Sequence, residues 1–184
     1  MTSSPAAPAE SSPDITDPST ASGDPDGAVR PSTSEGPTTV VFVCTHNSAR
    51  SQMAEGYLRA TYGDRYDVYS AGTEKTHVRP LAIQAMEEIG IDISGHTSKT
   101  LDALQDVEKD YVVTVCDSAR EACPVVRARE MVFHQSFPDP SAAEGSDEER
   151  LAVFRSVRDE LTNWIDRTFG GMPGESPPAD RPAP

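Results

Sequence analysis

Apolar positions along the chain change their period several times, and each change marks an element. Thr39 to Val43 is an unbroken β-rich run ending at Cys44, which reads as a strand. After a short loop, Met53, Ala54, Tyr57, Leu58 and Thr61 recur at helical spacing, and Gly63 stops that helix. Tyr66 to Ser70 alternates and reads as a short strand. Pro80 suits the first turn of a helix whose apolar face is Leu81, Ala85, Met86 and Ile89, ended by Gly90. Ser98 is placed to cap a further helix containing Leu101 and Leu104. Tyr111 to Val115 is a continuous apolar run, typical of a strand buried on both faces. Asp117 to Cys123 reads as helical up to Pro124, and Met131 to Phe133 as a fourth strand. Leu151, Phe154, Val157, Leu161, Trp164 and Ile165 mark the longest amphipathic helix, closed by Gly170-Gly171. Strands alternating with helices predict an α/β fold, a small four-stranded parallel sheet with helices on both faces.

Composition bounds the folded part. Residues 1–37 are rich in Ser, Pro, Thr, Asp and Ala and nearly lack large apolar side chains. They cannot bury enough surface to offset ordering entropy, so a disordered acidic tail is expected there. Residues 171–184 are Pro-rich and read the same way, which leaves 38–170 as the catalytic domain. The formal charge of −14 argues against nucleic acid as a partner. No apolar stretch is long enough to span a membrane, and no basic region followed by an apolar run marks a secretory signal. Three cysteines without such a signal point to a reducing, cytoplasmic setting and to reactive thiols. A small domain of this kind is expected to be a monomer.

The candidate chemistry starts at Cys44. Strand, then Cys44-Thr45-His46-Asn47-Ser48-Ala49-Arg50-Ser51, then helix, is the arrangement of an oxyanion cradle. Backbone N–H groups of the loop and of the helix start converge, and Arg50 can hold two oxygens of a tetrahedral anion. The same positive field favours the thiolate form of Cys44, so the arrangement points to nucleophilic attack on phosphate or a look-alike. Asn47 tolerates the left-handed backbone such a loop needs. Ser51 reads as a donor to the Cys44 sulfur, as a helix cap, or as both at once. Cys116 and Cys123 have poor spacing for zinc, and the alternatives are two small core residues or a redox pair. Seven residues of helix separate Cα atoms by roughly 10 Å, and a disulfide tolerates only about 7 Å. The pair bonds only if the segment unwinds, which suggests a switch. Asp139, between Pro138 and Pro140, reads equally as a turn residue or as a general acid. Strand ends share one rim in a parallel sheet, so Cys44, Cys116 and Asp139 should lie together. His77, His96 and His134 show no ligand spacing and read as structural or exposed.

Cys44-Thr-x-Asn-Ser-x-Arg-Ser-Gln-Met-Ala-Glu-Gly56, Tyr69-Ser-Ala-Gly72, Ile91-Asp-Ile-Ser94, His96-Thr-Ser98, Val112-Val-Thr114, Cys116-x6-Cys123-Pro, Asp139-Pro140 and Val157-Arg-Asp-Glu160 together resemble the thioredoxin-coupled arsenate reductases, which are built on the low-molecular-weight tyrosine phosphatase fold. The resemblance spans Thr38 to Phe169. It implies a thiol relay without a redox cofactor. Cys44 attacks arsenate held by residues Thr45 to Arg50, and Asp139 protonates the departing hydroxyl. Cys116 attacks Cys44, Cys123 attacks Cys116, and thioredoxin reduces the last disulfide. Phosphate and sulfate are the competing oxyanions. Two departures stand out, His46 where the family usually has Gly and Ala49 where it often has Cys. The potassium position of some members matches Asn47, Glu55 and Ser70, but Lys99 replaces an acidic ligand, so its ammonium is expected to take the ion's place. The alternatives are a low-molecular-weight protein tyrosine phosphatase, which has no use for Cys116 and Cys123, and a non-catalytic phospho-ligand or arsenic-sensing module.

Overall fold

The computed structural model describes residues 36–122 and 126–171, so nearly all of the expected tails, and Cys123, lie outside the described residues. Four strands, β1 (Thr38–Cys44), β2 (Tyr66–Gly72), β3 (Tyr111–Thr114) and β4 (Met131–His134), form one sheet in the order β2-β1-β3-β4. All three pairings are parallel, with Val41 opposite both Tyr69 and Val112, and Val113 opposite Phe133. Among the described residues four helices accompany them: α1 (Arg50–Tyr62), α2 (Pro80–Glu87), α3 (Asp117–Ala122) and α4 (Asp147–Phe169). The parallel four-stranded expectation therefore holds.

Consecutive strand residues point to opposite faces, and Val40, Val41, Phe42 and Val43 are all fully buried, so β1 is covered on both sides. β4, at the edge, alternates instead, and its Val132 is exposed. The apolar face of α4 (Leu151, Phe154, Val157, Leu161, Ile165 and Phe169) is buried throughout. Phe169 makes ring contacts with Phe42, Tyr66, Tyr111, Phe133 and Trp164 at centroid distances of 5.5–6.4 Å, mostly edge-on, the geometry aromatic quadrupoles prefer. Two polar seams fix α4 against its neighbours. Tyr57 and Tyr62 of α1 both donate to the Asp166 carboxylate, and burial together with that carboxylate pushes the Tyr57 phenol up to about 12. Arg158, nearly buried, donates to the Ala85 carbonyl at the end of α2 and pairs with Glu88.

Two boundaries differ from the sequence expectation. Ser98 caps no helix. The segment after it is a single 3-10 turn, Leu101–Leu104, preceded by Thr100 without a side-chain cap. The Ser98 hydroxyl is used elsewhere, as described below. The long helix starts at Asp147, well before its first apolar marker, because Ser146 and Glu149 form a reciprocal capping box.

Strand order places the site. The connection from β1 runs to β2 on one side, and the chain returns to β3 on the other, so the carboxyl ends of β1 and β3 flank the switch point at which such sheets bind ligands. Cys44 ends β1 and Cys116 follows β3 after Val115. Removing the aromatic hub should show how far this placement depends on the core. Phe169→Ala is expected to cost about 3–5 kcal/mol, read as a lowered urea midpoint at unchanged slope.

Candidate active site

The Cys44–Ser51 loop is held open by Asn47. Its φ of 46° lies in the left-handed region, and it is the only described non-glycine residue with positive φ. The side chain is fully buried and uses every hydrogen-bonding position it has. Its Nδ2 donates to Ser51 Oγ at 3.0 Å and Ser70 Oγ at 2.8 Å. Its Oδ1 accepts from Gln52 Nε2 at 2.9 Å and from the Lys99 backbone N–H at 2.8 Å. A backbone N–H can only donate, which fixes which end of the amide is oxygen. Gly72, at the end of β2, lets the sheet approach this loop closely. A Cβ there would lie 2.6 Å from the Thr45 carbonyl oxygen and 2.9 Å from the Asn47 nitrogen.

Cys44 is a buried free thiol. The Asn47 backbone N–H points at its sulfur from 3.1 Å, and Ser51 Oγ lies 2.9 Å away. Ser51 Oγ accepts the Asn47 amide at one of its two lone pairs, and toward a Cys44 thiolate, which can only accept, its own proton turns to the sulfur. Two donors therefore converge on Cys44, the environment a thiolate needs. The expected donor reading of Ser51 fits this geometry, whereas the capping reading does not. Ala49 precedes α1 without any side-chain cap, and Ser51 is already inside the helix.

Arg50 reaches across the rim. Its Nη1 donates to the Phe137 carbonyl at 2.9 Å, and its Nη2 pairs with Asp139 Oδ2 at 3.3 Å. Asp139 also accepts the Ser141 N–H, so it is a turn residue and a partner of Arg50 at once. Cys116, likewise a buried free thiol, has its sulfur 3.5 Å from Thr45 Oγ1, next to Cys44 in sequence. The loop, Arg50, Asp139 and Cys116 thus share one rim. Thr45 and His46 both extend outward contacts. The Thr45 carbonyl accepts from Glu74 N–H and Thr73 Oγ1, and the His46 carbonyl accepts from Thr76 Oγ1 and Ser98 Oγ. The exposed His46 ring lies 3.6 Å from Glu74. The Ser48 carbonyl accepts the Arg79 N–H. Ala49 is buried against the core.

The parts that sequence reading missed belong to the support of this rim. Thr76, Ser98 and Gln52 come from distant segments, and only hydroxyl or amide identity hinted at them. His134, read as structural or exposed, has a definite place. Its Nε2 donates to Asp117 Oδ1 at 3.1 Å, its Nδ1 lies 2.8 Å from Thr114 Oγ1, and Ser136 Oγ donates to Asp117 Oδ2 at 2.8 Å. These bonds, Ser136 first, hold the Asp117 carboxyl below the usual carboxylate range.

Behind Asn47 lies a buried carboxylate, Glu55. It accepts from Ser70 Oγ and from Arg59 Nη2, and Lys99 Nζ stands 3.5 Å from its Oε2. Two cations already face this one carboxylate, so an alkali ion coordinated by Glu55, Ser70 and Asn47 does not fit here: it would sit against the Lys99 ammonium. His96 completes the layer. Arg59 can only donate, so His96 Nε2 accepts from it at 3.5 Å, and Nδ1–H donates to Gln52 Oε1 at 3.0 Å. The ring is therefore neutral. Burial is the main cause holding it below its ordinary value.

The low molecular weight phosphotyrosine protein phosphatase family model matches residues 39–169, most of the chain. The chain belongs to this family. Within it, the chain is 52% identical over 130 residues to an arsenate reductase of Halalkalibacterium halodurans, covering 71% of this chain and 93% of that one. A solved arsenate reductase in its phosphate-binding state superposes with a TM-score of 0.57 at 35% identity, covering 70% of this chain and 94% of the other. A thioredoxin-dependent arsenate reductase of Corynebacterium glutamicum superposes with a TM-score of 0.52 at 26% identity, covering 72% and 64%. Among the described residues of this family member, no helix is long and apolar enough to cross a membrane.

Two outcomes follow from the buried layer. Potassium in place of sodium at equal ionic strength should leave the melting temperature unchanged, as read by differential scanning fluorimetry. For His96 the folded value lies below the unfolded one, so the unfolded chain binds more protons as pH falls through about 6.5. Its contribution to stability is present above that pH and lost below it. His96→Gln should flatten the fall in melting temperature between about pH 7 and pH 5.

Proposed function

We infer that this enzyme reduces arsenate to arsenite through three thiols regenerated by thioredoxin. The observation that carries the reading is the second buried thiol, Cys116, at the mouth of the Cys44 loop. An ester-cleaving enzyme needs Cys44, Arg50 and Asp139 but has no use for a second sulfur there. Curated relatives named arsenate reductase support the substrate, and a structural neighbour named thioredoxin-dependent supports the reductant.

The roles follow from the chemistry. Arg50 and the N–H groups of Thr45 to Arg50 hold the oxyanion, and charge-assisted bonds of this kind are the strong ones. Ser51 and the Asn47 N–H stabilise the Cys44 thiolate, which attacks arsenic as Asp139 protonates the hydroxyl that leaves as water. Cys116, as a thiolate, then attacks the Cys44 sulfur. The electron pair of the S–As bond passes to arsenic, which departs as arsenite, and a Cys44–Cys116 disulfide remains. Cys123, outside the described residues, attacks Cys116 by the same exchange. The dithiol of thioredoxin reduces the Cys116–Cys123 bond and returns the enzyme to its starting state.

The deciding experiment couples the purified protein to arsenate, thioredoxin, thioredoxin reductase and NADPH. Arsenate-dependent loss of NADPH is expected. Hydrolysis of an aryl phosphate with no NADPH loss would make the protein a phosphatase instead, and inactivity in both assays would make it a binding module. Cys123→Ser should release one arsenite per enzyme and then stall, read by arsenite yield in a single-turnover assay.

A further inference from the structure

Cys116 sits in the turn between β3 and α3, and a single imidazole spans that turn. His134 Nδ1 meets Thr114 Oγ1, two residues before Cys116, at 2.8 Å, and His134 Nε2 meets Asp117 Oδ1, one residue after it, at 3.1 Å. Ser136 closes the other oxygen of the same carboxylate at 2.8 Å. These groups lie on β3, at the first residue of α3, or on β4 and the residues just after it. Among the described residues, none of these side chains makes a hydrogen bond or ion pair with Cys44, Arg50 or Asp139.

We propose that His134, assisted by Ser136, is a positioning residue for the second thiol: it staples the Thr114–Asp117 turn to the end of β4 and so holds the Cys116 sulfur buried beside Thr45. This rests on the thiol relay inferred above. The geometry does two things. It limits the directions from which Cys116 can meet another sulfur, which favours attack on a neighbour at the rim. It also anchors α3 at its first residue. A helix of six residues is held weakly by its own hydrogen bonds, and one tied down at Asp117 has to unwind from its other end. Cys116 then keeps its place at the rim during the unwinding that the Cys116–Cys123 bond requires.

The test separates this staple from the reductase reading itself. In the full-length reduced protein, iodoacetamide labelling resolved by peptide mass mapping gives the alkylation rate of each cysteine without arsenate. His134→Ala is expected to raise the Cys116 rate roughly three- to fivefold, the scale of losing partly exposed charge-assisted bonds, while the Cys44 rate stays within error. Ser136→Ala, which removes one bond from an exposed position, should move Cys116 in the same direction by less. His134→Gln, whose amide N–H can still reach Asp117, should recover part of the protection. In single turnover with arsenate, His134→Ala should slow arsenite release at unchanged half-saturating arsenate. An unchanged Cys116 rate, or equal acceleration of Cys44 and Cys116, overturns the staple. Absence of arsenite from the unmutated protein overturns the reductase reading and leaves the labelling result standing.

Discussion

Asn47 holds its backbone in a region that L-residues disfavour, and it does so with a fully buried carboxamide. A single left-handed residue costs about 1–2 kcal/mol relative to the right-handed form. Four hydrogen bonds to Ser51, Ser70, Gln52 and the Lys99 backbone offset that cost. The consequence reaches the reacting atom. With Asn47 so held, its N–H faces the Cys44 sulfur, and its side-chain amide donates to Ser51 Oγ, which lies 2.9 Å from the same sulfur. Remove this one amide and the loop loses its shape, its link to β2 through Ser70 and its link to the Lys99 segment together.

The layer behind it is an electrostatic foundation. Glu55, almost fully buried, is tolerable only because Ser70, Arg59 and Lys99 satisfy it. Gln52 ties the same layer to the loop through the Asn47 carbonyl and to His96 through its oxygen. The direction of each bond is set by the groups that can only donate, Arg59 and the Lys99 N–H, so the network admits one proton arrangement. A loop backed in this way is preorganised for an anion before any arrives.

The front of the site is built differently. Arg50 and Asp139 meet at the solvent edge, and Cys116 is held by partly exposed contacts at the end of β3. Rigid backing and an anchored Cys116 suit the relay proposed above, in which the first two sulfurs keep their places while α3 unwinds from its far end. The parallel sheet makes this division possible, because every strand delivers its carboxyl end to the same side.

Much of this was legible in the residues. The continuous apolar runs announced β1 and β3, since strands covered on both faces have no polar side to alternate with. The strand–loop–helix grammar around Cys44, Asn47 and Arg50 announced the cradle, because only certain residues bend a backbone that way. Helix spacing located α1, α2 and α4, although the Ser146–Glu149 box that starts α4 went unread and Ser98 was misread as a cap. Local chemistry sufficed wherever the constraint was local. Tertiary structure alone decided which other distant polar side chains meet: Ser98 and Thr76 on the His46 carbonyl, and His134 across the Cys116 turn. A hydroxyl or imidazole has several possible partners within reach of its own segment, and a sequence carries no measure of which of them folding removes from water. The packed sheet and its loops settle that choice, because a buried polar group must find its partner among whatever the fold brings within about 3 Å.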